Sequence, residues 1–235
     1  LAALVAARRV APGDPLVLAE LARIYESQAR HEELADALTA WAQAIPDPSE
    51  QLALQLRVAQ LFEERLKRDA DAVTRYRAIL ERAPGHVVAL ASLGKLYHRA
   101  QNWVGLAETY EAEAASLDDA KQKVTRLYKA GEVLEERLQR YDDAIARYQD
   151  CLKQSPGYLP AQKALTRLYE RLGRWAELLA TWEQELGQGG DREQQIATLT
   201  KMAAVCEDKL LEPGRAEECL NRILALANDH LPTLR

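Results

Sequence analysis

His31-Glu32-Glu33-Leu34 opens like the zinc-protease sequence, in which two histidines four residues apart on one helix face hold the metal and a glutamate between them acts as base. The second histidine would fall at position 35, which is Ala35, so that chemistry lacks a ligand. His86, His98 and His230 are scattered and read as helix-surface residues. Gly187-Gln188-Gly189-Gly190-Asp191 has the glycine content of a phosphate loop but neither the lysine nor the hydroxyl that such a loop needs, and reads as a turn. Cys151, Cys206 and Cys219 are odd in number and form no Cys-x-x-Cys pair, which argues against a disulfide framework and a zinc site. Glu63, Glu135 and Glu207 each stand two residues before a cation, Arg65, Arg137 and Lys209. Residues two apart do not face one another on a helix, so ion pairs to a neighbouring helix are the better expectation for these glutamates. No reaction and no cofactor is implied.

The elements that carry these residues belong to a folded chain. With 48% hydrophobic residues and 31 Lys+Arg against 36 Asp+Glu in 235 residues, the sequence can bury a core and is not a disordered acidic tail. No apolar run reaches the roughly 18 to 20 residues that span a bilayer. Leu1 to Ala7 is followed by Arg8 and Arg9, the reverse of a signal peptide's order, so no membrane insertion is expected. A net charge of -5 is the wrong sign for neutralising phosphates, and nucleic acid is not expected as a partner. The odd cysteine number and the lack of an Asn-x-Ser/Thr sequon favour a cytoplasmic location. The chain opens on Leu1, and Thr233-Leu234-Arg235 falls inside a starting helix; it reads as a piece of a longer protein.

Self-similarity organises everything else. Ala11-Pro12-Gly13, Ala83-Pro84-Gly85 and Ser155-Pro156-Gly157 stand about 72 residues apart, at equal steps, and Asn228 falls on the next step. Leu21, Leu93 and Leu165 share a column of this register, as do Tyr25, Tyr97 and Tyr169, and Leu34, Leu106 and Leu178. In the second half of the period Phe62 meets Leu134, and Ala72 meets Ala144 and Ala216. Cys206 falls in the column of Phe62 and Leu134, Cys151 in that of Ile79 and Ile223, so both read as small core residues. Cys219 falls opposite Arg75 and Arg147, and whether it lies near enough to Cys206 to pair is left open. Apolar residues recur at spacings of three and four, as in Leu34, Leu38 and Trp41, and no stretch alternates like a strand. One period therefore holds four helices in two antiparallel pairs.

Helix pairs counted from positions near 15, 53, 87, 125, 159 and 197 advance alternately by a longer and a shorter step. The chain resembles the tetratricopeptide repeat family, whose helix pair is about 34 residues long and matches the shorter step. Leu93, Gly94, Tyr97, Trp103 and Tyr110 carry the resemblance, then Leu165, Tyr169, Gly173, Trp175 and Trp182. Ala72, Tyr76 and Pro84, with Ala144, Tyr148 and Pro156, carry it in the alternate pairs. Two departures stand out. Leu34, Leu106 and Leu178 occupy a place where the family prefers alanine, and Ala59, Gly131 and Ala203 come one step early, which suggests a variant turn like that of half-a-tetratricopeptide repeats. The resemblance implies an all-α solenoid, a right-handed superhelix of antiparallel helix pairs, formed as a single domain from residues 1 to 235.

It also implies a non-catalytic scaffold that binds a protein or peptide in a groove lined by the first helix of each pair. Carried onto this chain, the groove positions are Arg23, Arg57, Lys95, His98, Arg99, Arg126, Lys129, Lys163, Arg167, Arg171 and Lys201, a basic lining that would suit an acidic partner. Glu26, Glu64, Glu136 and Glu170 intrude, so charges merely solvated on helix faces are an equal reading. The lysine followed four places later by asparagine, used by chaperone-binding members, is absent: Lys163 is followed by Arg167 and Lys129 by Val133. Two other roles stay open, a docking or regulatory segment of a larger enzyme and an RNA-binding helical repeat.

Overall fold

A computed structural model describes residues 1–187 and 189–227. Gln188 of the glycine-rich turn, the fourth step of the period at Asn228, His230 and the helix expected to start near Thr233 lie outside the described residues. Those described form thirteen α-helices and no strand. The helices are α1 (Ala2–Val10), α2 (Pro15–Ser27), α3 (His31–Ala44), α4 (Pro48–Glu64), α5 (Asp69–Arg82), α6 (Val87–Arg99) and α7 (Trp103–Ala115), continuing with α8 (Ala120–Glu136), α9 (Tyr141–Gln154), α10 (Leu159–Leu172), α11 (Trp175–Gly187), α12 (Arg192–Val205) and α13 (Pro213–Leu226). One turn of π-helix, Cys206–Leu210, extends α12.

The chain divides into two compact units, Leu1–Arg126 and Leu127–Arg235, the boundary falling within α8. In the first, α2 to α6 each pack on the helix that follows in sequence, burying Leu18, Leu21, Leu38, Tyr76, Ile79 and Leu96. In the second, α9 to α13 stack in the same sequential way around Tyr148, Leu165, Leu168, Leu178 and Leu199. Each is a solenoid of helix pairs, in which a pair covers its apolar stripe only by leaning on the next.

Capping residues decide where the pairs begin. Asp14 accepts a hydrogen bond from the Leu16 amide at 2.9 Å with Pro15 in the first helical position. Asp47, Asp119 and Asp191 do the same for the alternate pairs, accepting from the amides of Ser49 at 3.0 Å, Lys121 at 2.8 Å and Gln194 at 2.7 Å. Those first helices therefore start at Pro48, Ala120 and Arg192, about five residues before the positions near 53, 125 and 197 that the repeat count marks. The caps keep the register of the long repeat themselves.

The variant turn is one residue wider than the standard one. In the standard pairs the amides of Arg30, Asn102 and Arg174 reach back five residues to the carbonyls of Tyr25, Tyr97 and Tyr169, each at 2.9 Å, across a left-handed residue, Ala29, Gln101 or Gly173. In the alternate pairs Arg68, Arg140 and Glu212 reach back six residues to Phe62, Leu134 and Cys206, again at 2.9 Å, across left-handed Lys67, Gln139 and Leu211. The last of these turns contains the π-helical residues Cys206–Leu210. The extra residue in the link to the second helix puts Ala59, Gly131 and Ala203 one step early; the upstream caps also lengthen α4 and α8 to 17 residues, against 13 in α2 and α6.

His31 occupies the column that holds Trp103 and Trp175 in the next two periods. Its Nδ1 is buried and has no hydrogen-bond partner. Since an orphaned buried polar atom costs free energy while the indole at the same register is accommodated twice, His31→Trp is expected to raise the unfolding free energy by about 1 kcal/mol. A urea titration of the variant beside the parent checks this, and an unchanged or lower midpoint would count against it.

Candidate protein-binding face

The residues expected to line a groove all sit on first helices: α2, α4, α6, α8, α10 and α12. Most of the arginines among them are already engaged. Arg23 pairs with Glu20 in its own helix, and Arg57 of α4 pairs with Glu26 of α2. Arg99 Nη2 lies 2.8 Å from Asp69 Oδ1, and Arg126 Nε lies 3.0 Å from Glu113 Oε2. The guanidinium of Arg171 stacks 4.8 Å from the centre of the Tyr141 ring. Lys129 is half-buried. Among the described residues Lys95, Lys163 and Lys201 are exposed and make no ion pair. The lining thus separates into arginines held by carboxylates or a ring and three exposed lysines that remain available.

Arg167 shows what such a tie does. Its Nη2 donates to both carboxylate oxygens of Glu135, at 2.7 and 2.8 Å, and the Tyr148 hydroxyl donates to the same carboxylate at 2.9 Å. Glu135 is buried, so three contacts replace the water that its charge has lost. Burial, and then the Glu135 charge, push the Tyr148 phenol far above its ordinary range. Tyr128 stacks on Tyr148 with ring centres 5.5 Å apart, and burial together with the neighbouring Glu132 carboxylate pushes its hydroxyl up to about 12. In the first period Tyr76 donates to Glu63 at 2.7 Å in the equivalent place. Glu135 therefore meets the expectation of a cross-helix ion pair, whereas Glu63 is bound by a phenol within its own helix pair.

One hollow in the first unit gathers several of the predicted residues. Lys95 and His98 of α6 and Arg126 of α8 line a space of about 400 Å³ together with Ala91 and Gly94 of α6 and Tyr110 and Glu113 of α7. Trp103 meets the His98 ring edge-on at 5.6 Å and so fixes the start of α7 beside it. Glu113 offsets one of the two permanent cations, which leaves the rim with a surplus of one positive charge. Glu113 is missing from the sequence expectation because it lies on a second helix and meets Arg126 across the α7–α8 connection. Two other hollows, of about 300 and 330 Å³, repeat the same lining one period apart: Leu93, Tyr97 and Thr109 in one, and Leu165, Tyr169 and Thr181 in the other.

Residues that invited other chemistry have structural roles. Ala35, where a second zinc ligand would stand, is buried in α3. No group of three or more His, Cys, Asp or Glu that could hold a metal ion occurs among the described residues. Gly189 and Gly190 take positive φ in the turn before Asp191, which caps α12. No described helix is long and apolar enough to cross a membrane.

An array of helix pairs with paired cations at its joints and open lysines between them defines a helical-repeat interaction scaffold. The sequence profile of the tetratricopeptide repeat family matches residues 163–196, from α10 into α12, and the anchors of that stretch recur through the register of the long repeat. That stretch is a tetratricopeptide repeat, and helix pairs with the standard and the wider turn alternate through the described residues. A search of curated proteins returns no match. Similar solved structures include a tetratricopeptide repeat protein from Parabacteroides merdae, 18% identical over 98% of this chain and 86% of that one, with a TM-score of 0.41. The C-terminal part of a repeat-containing protein from Cytophaga hutchinsonii is 15% identical over 99% and 91%, at 0.42. The protein MamA is 14% identical over 83% and 95%, at 0.40.

Proposed function

We propose that this chain is a non-catalytic scaffold that seats an acidic peptide, helix or protein partner against the face bearing Lys95, His98 and Arg126. The observation that carries this reading is the hollow lined from α6, α7 and Arg126, which combines small residues, a phenol and an unpaired ammonium. Lys95 can steer a carboxylate by charge, His98 and Tyr110 can share its oxygens, and Arg126 can turn from Glu113 to a partner without leaving the rim. Lys163 and Lys201 give the second unit exposed cations of the same kind. The arginine ties at Glu135 and Asp69 link neighbouring helix pairs.

The test exploits that difference. Lys95→Glu reverses a charge that the fold does not use, so the native protein and this variant should be equally stable. Partner captured by the native chain from its own cell lysate is expected to fall by about tenfold with Lys95→Glu and to elute with salt. A double variant, Lys163→Glu with Lys201→Glu, locates any contribution of the second unit. Equal capture by every variant would move the interface away from these cations and refute the reading.

A further inference from the structure

The repeat supplies an internal comparison for one contact. In the first period Phe62 of α4 faces Arg75 of α5, with the guanidinium carbon 4.4 Å from the ring centre. One period later the same columns hold Leu134 and Arg147, and in the next they hold Cys206 and Cys219. The pairing of helices is the same here: α12 and its π-helical turn pack on α13, so the two cysteines face each other across one helix pair at the positions that Phe62 and Arg75 occupy. Both cysteines are reduced and buried, Cys206 at the start of the π-helical turn and Cys219 in α13. Arg215, held by Glu212 at 2.9 Å, and Arg222, held by Glu183 at 2.7 Å, place cations around the pair.

We propose that Cys206 and Cys219 are a modification site, a dithiol that hydrogen peroxide oxidises to an intramolecular disulfide joining the α12 end of the last described pair to α13. Burial holds both thiols above their ordinary pKa, and the Arg215 charge opposes it, so the reaction belongs to a small oxidant and runs slowly. The thiolate of one cysteine attacks the peroxide O–O bond, forming a sulfenic acid and releasing hydroxide, which takes up the proton given off on ionisation. The second thiol displaces the sulfenic oxygen as water, and the S–S bond forms. Two thiols are oxidised and one peroxide is reduced to two waters. The bond would close a short loop around the widened turn and restrict the unfolded chain. Cys151 is the reference: it lies in α9, in a column of isoleucines, and burial pushes its thiol up to about 12.

Treatment of the native protein with hydrogen peroxide, quenching with N-ethylmaleimide and tryptic digestion without reductant test the proposal. The expected product is one species linking peptides 202–209 and 216–222, about 2 Da lighter than their sum and released by dithiothreitol. The oxidised protein should also unfold at a higher urea concentration than the reduced one, and Cys219→Ser should abolish both effects. Separate sulfinic acids on the two cysteines, a link to Cys151 or to a second chain, or a link that forms only in denaturant would overturn it.

Discussion

Tyr148→Ala is expected to cost about 3 to 5 kcal/mol of unfolding free energy, the range for removing a fully buried aromatic side chain. The ring has no exposure, stacks on Tyr128 and closes one side of Glu135. Its loss opens a cavity and also leaves a buried carboxylate with only Arg167. Tyr148→Phe separates the two effects, because it keeps the ring and removes the hydroxyl; its expected cost is about 1 to 2 kcal/mol. Urea denaturation followed by circular dichroism measures both. Equal stability of the phenylalanine variant and the parent would mean that Glu135 is satisfied by arginine alone.

Gly131 explains why Tyr148 can lie where it does. A Cβ built on Gly131 would come within 2.5 Å of the Tyr148 ring. Alanine is the better helix former by about 0.8 to 1 kcal/mol, yet Gly131→Ala must push a fully buried ring aside, and overpacking of this kind costs about 1 to 3 kcal/mol. We expect net destabilisation, with the near-ultraviolet signal of the tyrosine cluster altered. Gly157→Ala is the control, since nothing lies within 4 Å of the added methyl there. If both glycine variants behave alike, the close approach of ring and backbone has no energetic weight.

The sequence carried the fold plainly because its punctuation repeats. Pro-Gly pairs, tyrosines and leucines at equal long intervals give the helices, their pairing and the alternation of two kinds of pair, and the widened turn was visible as small residues one step out of place. Helix starts in the variant pairs were also written there, in Asp47, Asp119 and Asp191, but counting from the family's unit hides a cap that lies upstream of it. The binding face was less legible. Periodicity says which side of a helix a cation occupies, and it is silent about the carboxylate that meets it from a neighbouring helix pair, as Asp69 meets Arg99 and Glu135 meets Arg167. Residues of one type therefore divided into two roles that only packing distinguishes.

The two turn widths bear on how such a chain can grow or shrink. Because the narrower and the wider turn alternate, a single helix pair is not interchangeable with its neighbour: removing one pair would bring two turns of the same width together and set unlike faces against each other. Removing one full period, with Pro84 joined to Gly157, would bring α10 after α5 in the place of α6, where Leu165 replaces Leu93 and Tyr169 replaces Tyr97. The heritable module of this protein is thus a block of four helices, and duplication or recombination that respects the fold must cut at every second pair.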